Sequence, residues 1–507
     1  MIGKLGSILS QWRGGGRRVS TILQIFWGNL LQVVEAVRGL ITTALALKYV
    51  GIEGYGWWLT FYGLTQVFAM LDMGLAGPLQ RELSHQHAAR NPSGFGRVLS
   101  AGILLVGAIA VLVFILGCAL IFGLSWFYGS RTMSAADLYP ALVLGAAALG
   151  LGILNTLFRS AGSARLSPTS TILPTSLSRL LNLAVTFFMF RAGYGLLSIG
   201  SGLLAAEASM LAFYIYLLGR WRFRFAFLSR TEISPWIEIA RLTFFARLIG
   251  GGAAQIETSL VGLFVSAEAA SLYSISRRLA QFADQALHSF WSALMSPLTN
   301  YAAQHSEQAT RFLYDRAFGA LSRLGIFGLT IYVLVNPWLV SIWVGPQFVS
   351  SQWLLYPLIA GSVLTTFLFD IFNETFILCG KPRVSALQRI AIGLARVVAM
   401  VAFGAQWGLA GLIAAAIISN CAGIVVAVIA LRRQYGFLGR TLGRLSLGVQ
   451  TGATVALIVT FIVFTTTPAG ATSFSLAFCG GLVALAVYAV SELIDLKFRK
   501  TTRVVDQ

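Results

Sequence analysis

The chain has 507 residues, of which 57% are hydrophobic and only 11% are charged, and its formal net charge is +19. A soluble domain could not bury this much apolar surface, so the composition predicts an integral membrane protein. The basic residues lie near the ends of apolar segments rather than in one patch. This placement favours anionic lipid headgroups as their partners and argues against nucleic acid.

Fourteen apolar segments are predicted to cross the bilayer, because each reaches the length of about 20 residues that a spanning helix needs. The first segment is too long for the apolar core of a signal peptide and lacks a cleavage site, so it is predicted to be a retained span. No connection is long enough for a folded catalytic domain. The predicted spans are 19–48, 55–79, 97–123, 138–159, 168–190, 196–218, 241–265, 270–298, 320–344, 353–379, 384–404, 408–431, 446–466 and 473–495.

Positive charge alternates between the two sets of connections. Most of the 37 Lys and Arg lie in or beside the alternate connections that include both termini. Only Lys48, Arg131 and Arg191 lie beside or in the other set. Because positive charge near span ends is retained in the cytoplasm, a multi-pass protein with both termini in the cytoplasm is predicted.

A weak internal repeat relates the two halves of the chain. The segments that follow spans one and seven align at an offset of 215 residues, which is typical of secondary transporters. The aligned pairs are Glu53 with Glu268, Trp58 with Tyr273, and Gln66 with Gln281. The predicted organisation is an interfacial segment over 1–18, an N-lobe over 19–235, a C-lobe over 236–435, and a helix pair with a basic cytoplasmic tail over 436–507.

The fold class predicted from these patterns is all-α and membrane-integral, with two six-helix lobes around a central cavity and a C-terminal helix pair. Motifs for nucleotide hydrolysis, metalloprotease and serine-hydrolase chemistry do not occur, so no cofactor and no enzymatic activity are predicted. The four cysteines form no CxxC pair, which argues against a disulfide framework or zinc site. His85 and His87 are interpreted as solvated loop residues rather than metal ligands.

Polar and charged side chains within the apolar segments concentrate in spans one, two, seven and eight. An ionisable group in hydrocarbon costs about 2.5–3.5 kcal/mol, so each must face a partner or a hydrated cavity. One interpretation is a polar cavity between the lobes; the other is local pairing that only stabilises the bundle. The candidates are Asn29, Gln32, Glu35 and Arg38 in span one, Asp72 in span two, Arg247, Gln255 and Glu257 in span seven, and Arg277, Arg278 and Asp284 in span eight.

Three further pairings are predicted. Arg179 in span five and Glu207 in span six can form a buried ion pair within the first lobe. Asp284 and His288 are four residues apart, which permits either a structural pair or a proton relay. The carboxylates at 370 and 374 are predicted to pair at the inner interface with the basic residues at 381 and 383.

The buried arginines favour an anionic substrate, because a guanidinium group binds phosphate oxygens in a bidentate manner. Arg38, Arg247, Arg277 and Arg278 are therefore candidate phosphate or pyrophosphate ligands. Aromatic side chains could stack on sugars, although most are expected in the interfacial belts. These aromatic residues are Trp27, Trp57, Trp58, Tyr62 and Trp291.

Several short motifs resemble the O-antigen (Wzx-type) branch of the multidrug/oligosaccharidyl-lipid/polysaccharide (MOP) exporter superfamily. They are Tyr49-Val50-Gly51-x-x-Gly54-Tyr55-Gly56, Leu71-Asp72-Met73-Gly74-Leu75 with Arg81, Tyr273-Ser274-x-x-x-Arg278, and Gly380-Lys381-Pro382. The resemblance implies alternating access and a polyprenyl-pyrophosphate-linked oligosaccharide as substrate, moved across a bacterial plasma membrane. Of the site residues, Asp72 lies within a matching motif, whereas Arg38, Arg247 and Arg277 are analogous in position.

The resemblance implies a flippase for O-antigen, capsule or exopolysaccharide assembly, with membrane lipids, a polysaccharide polymerase and other assembly proteins as partners. Two alternatives remain. A multidrug exporter of the same superfamily would be expected to have twelve spans and a cavity rich in carboxylates. A non-transporting scaffold for polysaccharide assembly would not need the buried arginines.

Overall fold

All regular structure in the described part of the chain is helical. The computed structural model describes residues 17–70, 76–128, 135–165, 168–220, 248–249, 252, 255–304, 307–349, 355–379 and 381–435. Within those residues, seven helices are long and apolar enough to cross a membrane. They are Pro92–Gly123, Leu138–Ala164, Ile172–Arg191, Leu197–Gly219, Ala317–Trp343, Leu355–Ile377 and Pro382–Leu431.

The all-α membrane fold is therefore confirmed, whereas the number of fourteen spans stays a prediction. Predicted spans thirteen and fourteen, and the interfacial segment over 1–18 apart from its last two residues, lie outside the described residues. The chain divides into two compact units, Met1–Ser259 and Leu260–Gln507. The lobe boundaries at 235 and 435 also stay predictions.

The first unit is a bundle in which one helix is central. α5 packs against α2, α3, α4, α6 and α7, while α1 packs against α2 and α6. Apolar side chains of α3, α4 and α5 form its main core, with Leu79, Leu99 and Leu157 almost fully buried. The helices are α1 (Arg17–Tyr49), α2 (Gly51–Ala69), α3 (Ala76–Ala88), α4 (Pro92–Tyr128), α5 (Ala135–Ala164), α6 (Pro168–Arg191) and α7 (Leu197–Arg220).

Small residues allow α5 and α7 to approach closely. A Cβ atom on Gly200 of α7 would lie 2.4 Å from the backbone oxygen of Ala141 in α5. Helix association in a bilayer depends on such close packing, because lipid offers no hydrophobic driving force between helices. This contact fixes the register in which α7 presents Glu207 to α5.

The second unit is built around α9, α10 and α11, which pack against one another. Its core contains Trp291, Phe318, Phe367 and Phe372, all nearly or fully buried. α8 begins in the first unit and continues into the second. The elements are α8 (Glu257–Phe264), α9 (Ala267–Gln304), α10 (Glu307–Trp343), a 3-10 turn (Pro346–Phe348), α11 (Leu355–Leu378) and α12 (Pro382–Tyr435).

α12 is a helical hairpin rather than one straight helix. Gly408 has non-helical angles of φ 58° and ψ −136°. A Cβ on Gly411 would lie 2.2 Å from the backbone oxygen of Phe403, and Nε2 of Gln388 donates to the oxygen of Gly423 at 2.6 Å. Both contacts join residues on opposite sides of Gly408. The two arms correspond to the predicted spans eleven and twelve.

The prediction for the second span was wrong at its inner end. α2 ends at Ala69, and a separate helix, α3, begins at Ala76. His85 and His87 lie on α3 and not in a loop, although both are exposed as expected. α3 buries Leu79 and Leu83 completely, so it is a short helix with one apolar face.

The residues aligned by the internal repeat occupy similar places in the two units. Glu53 and Glu268 are exposed in the first turns of α2 and α9, respectively. Trp58 and Tyr273, five residues further along each helix, are 3% and 0% exposed. This agreement is what a repeat with an offset of 215 residues predicts.

Candidate functional site

A partly buried polar network connects four helices of the first unit, beginning with two residues of α1. The guanidinium group of Arg38 binds the carboxylate of Glu35 with two nitrogens, of which Nε donates to Oε2 at 3.0 Å. Its remaining Nη1 atom donates to Oδ1 of Asn182 in α6 at 2.9 Å. The helical spacing of three residues brings Glu35 and Arg38 to one face, as predicted.

Arg179 of α6 extends this network to α7. Its Nε atom lies 3.1 Å from Oε2 of Glu35, and its Nη1 atom lies 3.5 Å from Oε1 of Glu207. The predicted ion pair between Arg179 and Glu207 is therefore confirmed. The contact with Glu35 was not predicted, because it depends on α1 and α6 being neighbours.

A residue of α5 completes the hydrogen bonding of Glu207. Nδ2 of Asn155 donates both to the carboxylate Oε2 and to the backbone oxygen of Glu207, each at 2.9 Å. Gly152, also on α5, lies beside the carboxylate, and a Cβ there would make an ordinary van der Waals contact of 3.6 Å with its Oε2 atom. Sequence reasoning missed Asn155 and Asn182, although an amide within an apolar span is itself a signal of a polar neighbour.

The network is electrically balanced, with two guanidinium groups and two carboxylates. The side chain of Glu207 is only 14% exposed, whereas that of Glu35 is 43% exposed. The buried end of the network is thus well shielded and the Glu35 end is accessible. Pairing satisfies the charges locally.

The second unit places its predicted site residues mainly on α9. Nη1 of Arg277 donates to the hydroxyl of Tyr273 at 3.0 Å, and the guanidinium carbon lies 5.6 Å from the centre of that ring. Arg278 is half-buried. At the end of the first unit, Gln255 is exposed and Glu257 is fully buried.

A second charged network joins α9 to α11 and α12. Nε2 of His288 lies 3.5 Å from Oδ1 of Asp284 and 3.7 Å from Oδ2 of Asp370. Nη1 of Arg389 lies 2.7 Å from Oδ1 of Asp370. The pairing of Asp284 with His288 agrees with the prediction, while the roles of Asp370 and Arg389 in this network were missed.

The predicted interfacial pairing of Asp370 and Glu374 was wrong. Asp370 pairs with Arg389, and Glu374 accepts a hydrogen bond from the indole Nε1 of Trp291. The basic residues at 381 and 383 are exposed at the start of α12. The reason is that α12 folds back along α11. Asp370, eight residues before the end of α11, therefore faces Arg389, seven residues after the start of α12.

Two of the five aromatic candidates for sugar stacking are buried inside the protein. Trp58 stacks on Tyr62 with ring centres 4.7 Å apart, and Trp291 is fully buried against Tyr314.

Four predicted site residues cannot be placed. Asp72, Arg247, and the side chains of Asn29 and Gln32 lie outside the described residues.

The comparisons with known proteins agree with this architecture. Residues 55–353 match the family described as polysaccharide biosynthesis protein. The chain belongs to this family. No curated protein matches the sequence.

Solved structures share the fold of this chain over most of its length. The structure of the lipid II flippase MurJ in an inward closed conformation has a TM-score of 0.67 and 14% identity, and the match covers 92% of this chain and 99% of MurJ. An inward-facing multidrug resistance MATE family transporter of the MOP superfamily has a TM-score of 0.61 and 14% identity, with 78% of this chain and 96% of that one covered. The outward-facing form of such a transporter has a TM-score of 0.59 and 14% identity, with 82% and 95% covered.

These matches confirm the resemblance to the MOP superfamily that the sequence motifs indicated. The protein is a multi-pass membrane protein, and these structural neighbours are a flippase and multidrug transporters.

Proposed function

We propose that the protein is a flippase for a polyprenyl-pyrophosphate-linked oligosaccharide repeat unit. It moves this substrate from the inner to the outer leaflet of the bacterial plasma membrane by alternating access, for O-antigen, capsule or exopolysaccharide assembly. The observation that carries the proposal is that the fold of a lipid II flippase covers 92% of a chain from a polysaccharide biosynthesis family. Membrane lipids, a polysaccharide polymerase and other assembly proteins are the proposed partners, and both termini are proposed to be cytoplasmic.

In this proposal the arginines bind the diphosphate. The carboxylate of Glu35 occupies the two-nitrogen fork of Arg38, which is the arrangement that a phosphate group also adopts with arginine. Because Glu35 is 43% exposed and also contacts Arg179, the diphosphate can displace it from Arg38 while Glu35 keeps Arg179 as its partner. Glu35 therefore keeps Arg38 oriented while the site holds no substrate.

Arg277 supplies a second guanidinium group, which Tyr273 orients through its hydroxyl. The other polar candidates from the sequence are proposed to contact the sugars or the second phosphate. They are Asn29, Gln32, Asp72, Arg247, Gln255, Glu257, Arg278 and Asp284.

A multidrug exporter is the first alternative. The structural matches to the two multidrug transporters cover 78% and 82% of this chain, whereas the match to the lipid II flippase covers 92%. The charge of the first unit also differs from what a cationic drug requires, because each carboxylate of the polar network is already balanced by an arginine. Both observations favour the flippase.

Translocation by the purified protein tests the proposal directly. The protein is reconstituted into liposomes with a fluorescent polyprenyl-diphosphate disaccharide, and the fraction accessible to a membrane-impermeant quencher is followed over time. We expect fast exchange between leaflets with the native protein, and at least about a tenfold slower exchange with Arg38→Ala or Arg277→Ala, the loss of about 1.4 kcal/mol or more of binding. Arg383→Ala is the matched control, since Arg383 is exposed at the start of α12.

The outcomes separate the alternatives. A scaffold would give no exchange with the native protein, even though cells lacking it fail to display polysaccharide. An exporter would move a cationic dye and leave the lipid-linked sugar in place. Native exchange in both arginine variants would contradict the proposed role of Arg38 and Arg277.

A further inference from the structure

One backbone oxygen of α9 accepts two hydrogen bonds from side chains of α10. The hydroxyl of Tyr332 donates to the backbone oxygen of Ser276 at 2.7 Å, and Nδ2 of Asn336 donates to the same oxygen at 3.3 Å. Ser276 and Asn336 are fully buried, and Tyr332 is 6% exposed. These contacts hold α9 by its main chain, so they fix the helix itself and not only a side chain that can rotate.

The oxygen of Ser276 lies within a continuous α-helix, where it is also the acceptor for the N–H group four residues later. A carbonyl oxygen has two lone pairs, so the two donors from α10 compete with that helical hydrogen bond. A side chain that inserts into the hydrogen-bond ladder of a helix is an identified cause of local bending. Tyr332 and Asn336 therefore act on the local geometry of α9 as well as on its position against α10.

Arg277 is the residue that these contacts place. It follows Ser276 directly, and its Nη1 atom donates to the hydroxyl of Tyr273, one turn earlier on α9. The main chain beside Arg277 is thus held by α10, while its guanidinium group is held by a fully buried tyrosine of its own helix. Both ends of the side chain are constrained before a ligand arrives, which is the preorganisation that favours tight binding.

The residues that make these contacts do not maximise stability. Oδ1 of Asn336 and Oγ of Ser276 are buried, yet neither atom has a hydrogen-bond partner in the described part of the chain. A buried polar atom without a partner destabilises a protein, and leucine, which is close to asparagine in size, would remove one such atom at position 336. Residues that lower stability at a buried position are expected where function requires them.

We infer that Tyr332 and Asn336 are positioning residues for Arg277. They act through the backbone of Ser276 and set the depth and direction at which α9 presents the guanidinium group. Their role in transport rests on the proposed flippase function, under which they raise the affinity for the diphosphate without contacting it. The position of Arg277 itself does not depend on that function and is measured separately.

The position of Arg277 is followed by NMR on protein labelled with ¹⁵N at arginine. The Nε–H signal of Arg277 is the one that disappears in Arg277→Lys. We expect this signal to shift or broaden in Tyr332→Phe and in Asn336→Leu, because each substitution removes one donor from the backbone oxygen of Ser276.

Tyr314→Phe is the matched control, because it also removes a buried hydroxyl from α10. That hydroxyl hydrogen-bonds Thr375 on α11, and Tyr314 lies near the beginning of α10, whereas Tyr332 lies in its second half. The Arg277 signal is expected to stay as in the native protein. A signal that is unchanged in both Tyr332→Phe and Asn336→Leu, or that moves equally in Tyr314→Phe, would overturn the positioning role.

The effect on substrate is measured as the concentration of the fluorescent polyprenyl-diphosphate disaccharide that gives half-maximal binding. We expect Tyr332→Phe and Asn336→Leu each to raise it by about three- to tenfold, the range for one hydrogen bond. Neither should raise it further when Arg277→Ala is already present, because both act through that arginine. The unfolding midpoint of Asn336→Leu should equal or exceed the native one, which a purely structural role does not allow.

The outcomes separate this inference from the proposed function. If the Arg277 signal moves as expected but the native protein neither binds nor exchanges the lipid, the flippase proposal fails and the positioning role stands. If the lipid is bound and exchanged, but the variants weaken binding equally with and without Arg277, the flippase proposal stands and the positioning role is wrong.

Discussion

The Nε atom of Arg179 lies 3.1 Å from the Oε2 atom of Glu35, which ties α6 to α1 well within both helices. The other side of the same guanidinium group reaches Glu207 on α7. Arg179 therefore connects three helices, and each of its partners would lose a counter-charge if it were removed. Since a single charged group left inside a membrane protein is costly, this arginine is a sensitive position.

Replacing Arg179 with leucine is expected to destabilise the protein by about 2 kcal/mol, less than the ~3–5 kcal/mol of a fully buried pair because Glu35 is partly exposed. The stability of Arg179→Lys should lie between those of the native protein and Arg179→Leu, since one ammonium group cannot contact both carboxylates at once. The measurement is the thermal unfolding midpoint in detergent. Arg191→Leu, on the exposed last turn of the same helix, is the control and should have little effect.

Glu35 and Arg38 offer a test that separates stability from substrate binding. In Arg38→Gln alone, Glu35 keeps Arg179 but loses the guanidinium that binds it with two nitrogens, so the unfolding midpoint should fall. In Glu35→Gln/Arg38→Gln the two amides can still hydrogen-bond, and the midpoint should recover by more than half. Lipid exchange should remain reduced by about tenfold in both variants if Arg38 binds the diphosphate. Recovery of exchange in the double variant would show that Arg38 has only a structural role.

The sequence correctly predicted two kinds of ion pair. One joins residues of the same helix, and the other joins oppositely charged residues of two neighbouring apolar spans. Glu35 with Arg38 follows from helical spacing alone. Arg179 with Glu207 follows because each is costly in hydrocarbon without a partner. Neither argument identifies a third partner, so the contact of Glu35 with Arg179 required knowledge of which helices are adjacent.

The wrong pairing at Asp370 shows where such arguments fail. Nearness in sequence suggested the basic residues at 381 and 383, which lie in the turn and the first turn of α12. The reversal of direction between α11 and α12 instead places Arg389 opposite Asp370. The same reversal could have been used in the prediction, because a turn of known position fixes which residues of two antiparallel helices face each other.

Tyr273→Phe is expected to lower lipid exchange by about three- to tenfold without changing stability by more than about 1 kcal/mol. The ring is fully buried and is retained by phenylalanine, whereas the hydroxyl that receives Nη1 of Arg277 is lost. Loss of one hydrogen bond to a charged group is worth about 1.5 kcal/mol or somewhat more before the guanidinium finds water instead. Tyr194→Phe, at an exposed position between α6 and α7, should behave as the native protein in the same assay.

The predicted orientation can be checked with single cysteines in a chain whose native cysteines are replaced by serine. Tyr194→Cys lies in the exposed turn between α6 and α7, on the side predicted to be outside the cytoplasm. Arg383→Cys lies at the exposed start of α12, on the side predicted to be inside. A membrane-impermeant maleimide added to spheroplasts should label the first and not the second until the membrane is opened. The reverse pattern would mean that the termini lie outside.

Gly408 determines the turn of the α12 hairpin. Its angles of φ 58° and ψ −136° are ones that side chains with a Cβ rarely adopt, although a Cβ there would meet only Val265 at an ordinary 3.8 Å. Gly408→Ala should therefore lower stability by about 1–3 kcal/mol through backbone strain alone. Gly411→Ala should lower it by a similar or larger amount through steric overlap with the oxygen of Phe403.

Gly328→Ala is the control, because a Cβ there would meet no atom within 4 Å. This variant should change the unfolding midpoint little or raise it slightly, because alanine favours the helix. Equal midpoints for all three variants would show that the reversal at Gly408 does not hold the second unit together.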